Sequence, residues 1–261
     1  SSDLPAGRFQ GRLMADGGPL AGLTALVTGS SRGIGAATAG ALAAAGAHVV
    51  LTARTARDLE AIEEAIHQAG GSATIAPMDL VESDSIARLA NAISERWGKL
   101  DILVINAAIL PQLTSVTQIE QQFFNRALTL IVLATQALLA NFDPLLKRSD
   151  GGRVIGVTSW VGQSPRAYWG AYGATKAAFD NLLGAYAQEV ESISKVRVAI
   201  VDPGATRTQM RARAYPGEDP ATLKGPEVVG ERIAALAGED FASGARIRVE
   251  NPASPFLLRT R

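Results

Sequence analysis

Seven short runs rich in Val, Ile and Leu, each set apart from the next by a helix-length segment, leave this chain few ways to fold. The runs are Leu23–Thr28, Ala47–Thr52, Ala73–Met78, Ile102–Asn106, Arg153–Thr158, Val196–Val201 and Ala245–Val249. None alternates apolar with polar residues, as a strand with one wet face would, so each asks to be covered on both sides. The segments between them carry helical composition: about Ile34–Gly46, Ala56–Ala69, Ser83–Trp97, Gln118–Lys147, Ala171–Ser194 and Pro226–Ala237. Strand and helix in alternation predict a single-domain α/β fold, a doubly wound parallel sheet of about seven strands with helices on both faces.

The chain of 261 residues, 47% hydrophobic and 19% charged, can bury the core such a sheet needs. The expected layout is an N-terminal arm or tag over residues 1–19, one domain over 20–250, and a tail over 251–261. Within the arm, Ser1–Leu13 reads as added or loose sequence and Met14 as the native start. Residues 206–225, with Pro216, Gly217, Pro220 and Gly225, are too long for a tight connection and read as a lid over a binding site. Lys plus Arg balances Asp plus Glu at 25 each, so no global field draws nucleic acid or an anionic membrane. Without cysteine there is no thiolate chemistry, and a reducing, cytoplasmic setting is expected. His48 and His67 lie beside no carboxylate cluster, so no metal is expected. No apolar run approaches the ~20 residues of a membrane span.

Thr28-Gly-Ser-Ser-Arg-Gly-Ile-Gly35 follows the first strand and opens the first helix. Glycines at Gly29, Gly33 and Gly35 would let backbone approach a pyrophosphate, and Ser31, Arg32 and Ile34 share the turn. The helix N-terminus adds free N–H groups and a positive dipole end. The second strand ends Leu51-Thr52-Ala53-Arg54, with no acid to take a ribose 2′-hydroxyl. Arg54 and Arg32 suit a 2′-phosphate instead, which favours NADP over NAD. Asp79 and Leu80 follow the third strand, where they would contact adenine. Asn106, Ala107 and Ala108 follow the fourth, small enough to leave the cofactor room. Each of these taken singly is equally good turn chemistry.

Tyr172-Gly-Ala-Thr-Lys176 falls on a predicted helix, where positions four apart share a face. A cation beside a phenol favours the phenolate and would bring Tyr172 toward use as a proton donor and acceptor near neutrality. Such a pair is also common on a solvated helix face.

These residues together resemble the short-chain dehydrogenase/reductase family. The resemblance rests on the Gly-rich turn, Asn106-Ala-Ala108, Ser159, Tyr172-Gly-Ala-Thr-Lys176 and Pro203-Gly204-Ala-Thr-Arg-Thr208, in family order over about Leu20 to Val249. Ser159 precedes Tyr172 by thirteen residues, as is usual in the family. Arg166 to Tyr172, with Tyr215 to Pro220, is similar to a subgroup of little-characterised bacterial oxidoreductases. The resemblance implies a Rossmann fold and reversible hydride transfer between a nicotinamide and a carbonyl or alcohol. Tyr172 would be the proton donor, Ser159 would hold the substrate oxygen, and Lys176 would lower the Tyr172 pKa and bind the nicotinamide ribose. Pro203, Gly204, Thr206 and Thr208 would line the nicotinamide side.

One expected group is missing. The family carries an Asn on the long helix before the fifth strand, holding a water that relays protons from the lysine. Counting back from Pro144 and Gly152 places that position at Ile131, which cannot hydrogen-bond a water. Asn125 lies six residues away and points elsewhere. Either the enzyme works with a weakened relay, or the chain binds NADP with little redox activity, as a sensor or scaffold. A reductase of 3-oxoacyl thioesters is the alternative within enzymes, with Arg207, Arg211 and Arg213 as a basic entrance.

By position, Ile109, Leu110, Trp160, Val161, Gln163, Trp169, Met210 and Tyr215 would form the substrate pocket. Their apolar character points to a small hydrophobic carbonyl or alcohol. Leu128, Leu138, Phe179, Leu182, Leu183 and Tyr186 form apolar stripes on helices 118–147 and 171–194. Family likeness makes these a homodimer or homotetramer contact.

Overall fold

The computed structural model describes residues 17–82 and 84–251. All but the first residue of the expected tail and most of the expected arm lie outside them. Seven parallel strands form one sheet: β1 (Thr24–Thr28), β2 (His48–Thr52), β3 (Ser72–Ile75), β4 (Ile102–Ile105), β5 (Arg153–Val157), β6 (Arg197–Asp202) and β7 (Ala245–Arg248). Their order is β3-β2-β1-β4-β5-β6-β7, so the winding reverses between β1 and β4. At such a reversal the connections leave to opposite faces and a crevice opens at the carboxyl ends of the strands.

The helices are α1 (Gly33–Ala44), α2 (Ala56–Gln68), α3 (Ser85–Trp97), α4 (Gln121–Leu128), α5 (Ala134–Lys147), α6 (Gly170–Glu191), α7 (Gln209–Ala214) and α8 (Pro226–Gly238). Two apolar layers sandwich the sheet. Leu89, Leu138, Phe142, Phe179 and Leu183 cover one face, and Leu42, Leu59, Ile66, Val229 and Ile233 cover the other. Successive strand residues feed opposite layers: Leu103 and Ile105 of β4 join the first, Ile102 and Val104 the second. Both sides of the strand are therefore apolar, which is why the sequence shows continuous runs.

Gly156 in β5 lets α6 approach the sheet closely. A Cβ there would lie 2.2 Å from Leu183 Cδ1 and 2.9 Å from Phe179 Cζ. Local signals set several ends: Pro226 occupies the first turn of α8, and Gly98 closes α3 at φ 73.

The single long helix expected over 118–147 is in fact α4, a π turn over Thr129–Leu133, and α5. A π turn inserts an extra residue without ending the helix, so apolar periodicity does not reveal it. The continuous run Gln121–Lys147 reaches 27 residues, with mean hydropathy 1.5 in its most apolar window. This corrects the expectation that no segment is long and apolar enough to cross a membrane; here it forms part of the layer beside α3 and α6.

The expected oligomer stripe is mostly core. Leu138, Phe179, Leu183 and Tyr186 are buried against the chain's own sheet. The apolar side chains left outward on α4 and the π turn are Phe123 and Leu133. A wide apolar stripe serves the sheet face first, and sequence alone cannot divide it between the two uses.

Candidate active site

The Gly-rich turn lies at the carboxyl end of β1, where the crevice opens. Thr28 Oγ1 accepts hydrogen bonds from the backbone N–H groups of Asn106 and Ala107 at 2.9 and 3.1 Å. Asn106 Nδ2 donates back to the carbonyls of Thr28 and Gly29, at 2.9 and 3.2 Å. The ends of β1 and β4 are thus stitched across the sheet's switch point. The Asn106 side chain is occupied in building the turn, and the Thr28 hydroxyl is a contributor that motif reading missed.

The turn is a cradle that side chains would fill. Gly29 has φ +66, and a Cβ on it would meet Ala107 Cα at 2.9 Å; one on Gly35 would overlap the Gly29 carbonyl oxygen at 2.2 Å. Gly33, with φ +56, opens α1, whose first turn leaves N–H groups directed into the crevice. Ser31 and Ile34 are half-buried in the same turn. Arg32 and Arg54 are both exposed at its rim, with no protein partner among the described residues.

The adenine side is only partly as expected. Asp79 Oδ1 accepts from the Val81 N–H at 3.2 Å, the bond of a local turn. Leu80 is buried in the core layer beneath the sheet, so its side chain is not free to face adenine. An apolar residue at a strand end packs inward wherever a layer is available, which corrects that expectation. Ala107 and Ala108 pack at the edge of the same layer and leave the crevice open.

The opposite wall is the loop after β6. Gly204 adopts φ +60, and its N–H donates to Asp202 Oδ1 at 3.0 Å. Thr206 donates to the Pro203 carbonyl at 3.0 Å, and Thr208 caps α7 by accepting from the Arg211 N–H at 3.1 Å. A Cβ on Gly33 would lie 3.6 Å from Thr208 Cγ2, so this loop closes down on the Gly-rich turn. Lys224, which the sequence reading passed over, bridges the foot of the lid by donating to the Ala205 carbonyl at 3.0 Å.

Tyr172 and Lys176 are both buried on α6, 7% and 2% exposed, over the end of β5. Ser159 follows β5 and starts a 3₁₀ turn over Trp160–Gly162. The Tyr172 and Ser159 hydroxyls make no hydrogen bond among the described residues. Lys176 Nζ donates to the Val157 carbonyl at 2.8 Å, 4.5 Å from the Phe179 ring centroid and 5.9 Å from that of Tyr172. The expected electrostatics are corrected here. Burial raises the Tyr172 phenol well above its usual range, and the Asp202 carboxylate pushes the same way. Burial lowers Lys176 to about 8, with Asp180 opposing. Tyr172 therefore carries its proton at neutral pH, because the nearest ammonium is turned toward β5 and dehydration of the phenolate dominates.

The lid reaches this site through aromatic contacts. Tyr215 lies 5.8 Å from Trp169, and Trp169 stands edge-on to Tyr172 at 6.0 Å. Arg166 donates to the Tyr215 hydroxyl at 2.7 Å. Ile109, Leu110, Val161, Trp169 and Met210 are half-buried around the cleft, whereas Trp160 and Gln163 are exposed. Ile131 is fully buried within the π turn, its carbonyl accepting from Thr135 Oγ1 at 2.7 Å, while Asn125 faces solvent. The absence of a polar side chain at that position is therefore real in the fold.

The order of motifs, the strand order and the site geometry coincide with one family. The sequence matches the short chain dehydrogenase profile over residues 23–219. This chain belongs to the short chain dehydrogenase family, a family of oxidoreductases. It is 34% identical over 218 residues to the uncharacterized oxidoreductase YciK of Escherichia coli, covering 82% of this chain and 86% of that protein. Its fold superposes with a TM-score of 0.87 on a short chain dehydrogenase structure from Pseudomonas syringae, at 37% identity, covering 92% of this chain and 99% of that one. A Shigella flexneri short chain dehydrogenase, solved in complex with NADP, matches with a TM-score of 0.86 at 32% identity over 90% of this chain and all of that one.

Proposed function

We propose that this short chain dehydrogenase is an NADPH-dependent reductase of small hydrophobic carbonyl compounds, acting reversibly on the corresponding alcohols. The observation that carries this reading is Tyr172: a buried phenol, protonated at neutral pH, whose hydroxyl has no hydrogen-bond partner among the described residues, on the helix that also bears Lys176 and above the end of β5 that leads to Ser159.

The cradle of Gly29, Gly33 and Gly35 fits a dinucleotide pyrophosphate, and Arg32 and Arg54, which have no partner among the described residues, fit a 2′-phosphate. The NADP held by the Shigella relative supports that choice over NAD. When bound, the dinucleotide supplies the hydride. Ser159 donates to the substrate oxygen and holds the carbonyl in place. Tyr172 delivers its proton to that oxygen as negative charge develops there. Lys176 supplies positive charge behind the phenol, stabilising the phenolate as it forms. Trp169, Met210 and Val161 enclose an apolar body and exclude water.

The thioester reading loses support, since Arg211 is neutralised by Glu218 and Arg207 lies 3.9 Å from Glu227. A binding-only sensor would have no chemical need for the buried Tyr172–Lys176 pair. A second copy of the chain is proposed to cover the outward Phe123 and Leu133, giving a homodimer or homotetramer. The test of function is NADPH absorbance with a panel of carbonyl compounds. Tyr172→Phe is expected to abolish turnover while NADPH binding persists. Near-normal kcat in that variant overturns the mechanism.

A further inference from the structure

A third ionisable side chain stands in line with the first two on α6. Tyr172, Lys176 and Asp180 follow one another at four-residue steps, so each lies one turn beyond the last on roughly one face. All three are buried, and Asp180 is 3% exposed. A carboxylate removed from water needs strong partners. Asp180 has two, both from outside its helix. The Thr158 hydroxyl donates to Oδ1, and Arg246 Nη1 donates to Oδ2 at 2.7 Å. Thr158 follows β5 directly and immediately precedes Ser159, and Arg246 belongs to the edge strand β7.

We infer that Asp180 is a positioning residue: it pins α6 to the end of β5, and its charge, moderated by Arg246, keeps Lys176 in its ammonium form. This rests on the Ser159–Tyr172–Lys176 reading of the site and adds to it a residue that touches neither substrate nor cofactor.

Two lines of geometry carry it. Mechanically, one carboxylate joins the helix bearing Tyr172 and Lys176 to the residue preceding Ser159. The relative placement of the three side chains is thereby fixed by a bond outside the crevice. Electrostatically, Lys176 is buried, and among the described residues its one hydrogen bond goes to the Val157 carbonyl, a neutral acceptor. The charged and titratable groups around it are few. Its own helix offers Tyr172 and Asp180. β6 offers Asp202, which acts on Tyr172. β7 offers Arg246, on the far side of Asp180. The π turn Thr129–Leu133 and the 3₁₀ turn Trp160–Gly162, which pack against α6, carry no ionisable side chain; α4 and α5, which also touch α6, carry Arg126, which is exposed, and Asp143 and Lys147, which pair with each other where Tyr186 binds Asp143. Asp180 is the carboxylate that acts on Lys176, and it acts against the effect of burial. Arg246 is only half-exposed, 45% at its side chain, and grips the same carboxylate, so it weakens the field that Asp180 presents to Lys176.

The arrangement makes opposite predictions for its two members. Removing the carboxylate exposes Lys176 to the full effect of burial; removing the guanidinium strengthens the carboxylate's pull. The chain holds five lysines, at 99, 147, 176, 195 and 224, so the protein labelled with [ε-¹³C]lysine gives a spectrum simple enough to titrate. Lys176→Arg identifies the resonance. Asp180→Asn is expected to lower the Lys176 midpoint by about half a unit or more, and Arg246→Gln to raise it by a similar amount. The alkaline limb of the kcat profile is expected to follow in the same directions. A purely structural role would lower the melting temperature of both variants and leave the midpoint where it was, and that result overturns the inference. If Asp180→Asn does not fold, Arg246→Gln decides alone, because its side chain is half in solvent. Turnover surviving in Tyr172→Phe overturns the catalytic reading but leaves the lysine titration standing, so the two failures are distinct.

Discussion

Arg211 holds Glu218 by two hydrogen bonds of 2.6 Å, from Nε and Nη2, while its guanidinium lies 3.7 Å from the centre of the Tyr215 ring. One arginine thus fastens the lid helix α7 to the loop that follows it and stacks on the aromatic ring that leads, through Trp169, to Tyr172. The pairing with Arg211 holds the Glu218 carboxyl below its usual range. A group depressed in this way stabilises the fold above its unfolded pKa and loses that contribution as pH falls through its folded value. The clasp is therefore intact at neutral pH.

Glu218→Ala is expected to raise KM by about two- to fivefold, as befits a half-exposed pair, with kcat nearly unchanged. Trypsin should then cleave faster after Arg211 and Arg213. Unaltered KM and cleavage would show that Tyr215 packing holds the lid without the ion pair.

Cofactor choice should follow Arg32 and Arg54. Arg54→Asp is expected to move relative kcat/KM from NADP toward NAD. Arg32→Ala should weaken NADPH by roughly tenfold or more, the worth of one charge-assisted phosphate contact. Equal preference in Arg54→Asp and the parent would remove Arg54 from the 2′-phosphate site. Calorimetric titration with each dinucleotide measures both effects without turnover.

Gly35→Ala tests the cradle itself. The added methyl meets the Gly29 carbonyl oxygen at 2.2 Å, a backbone atom that cannot swing aside. Dinucleotide binding is expected to fall more than the melting temperature, because the turn shifts while α1 remains packed on α8. Retained NADPH affinity in a folded Gly35→Ala protein would contradict the placement of the pyrophosphate.

Lys176→Met should abolish turnover and yet stabilise the fold. Burial lowers Lys176 to about 8 from its ordinary value. Below that value the folded protein holds a charge in a dry site, an unfavourable contribution that methionine removes. Between pH 8 and the ordinary lysine range, the unfolded chain binds more protons than the folded one, so the parent gains stability as pH rises. The advantage of Lys176→Met is therefore on the order of 1–3 kcal/mol at pH 7 and shrinks above pH 8. Denaturant melts at pH 7 and 9.5 measure it.

Ile131→Asn addresses the missing relay. Placing an amide at a site 1% exposed, in an apolar layer, is expected to lower stability by about 1–3 kcal/mol. If proton transfer from Lys176 limits the rate, kcat should rise, within the ~10²–10⁴-fold range of acid–base steps. Unchanged kcat would mean that hydride transfer or product release limits instead.

The sequence by itself determined the sheet, the order of the motifs and the residues that can carry the chemistry. Runs apolar on both faces have no stable home but a covered parallel sheet, and the Gly-rich turn, Ser159, Tyr172 and Lys176 announce themselves by spacing along one chain. Boundaries such as Ile102–Ile105 and Pro226–Gly238 fell close to the expected runs because strand composition and Pro punctuation are local signals. Tertiary structure decided what depends on burial and on neighbours distant in sequence. Leu80 and most of the supposed oligomer stripe turned inward because a layer of core was there to receive them. Tyr172 kept its proton because dehydration outweighed a lysine turned toward the Val157 carbonyl. Arg211, one of the three arginines at 207, 211 and 213, was already paired with Glu218. Spacing reveals which groups share a helix face; only packing reveals how dry they are and which charge each one meets.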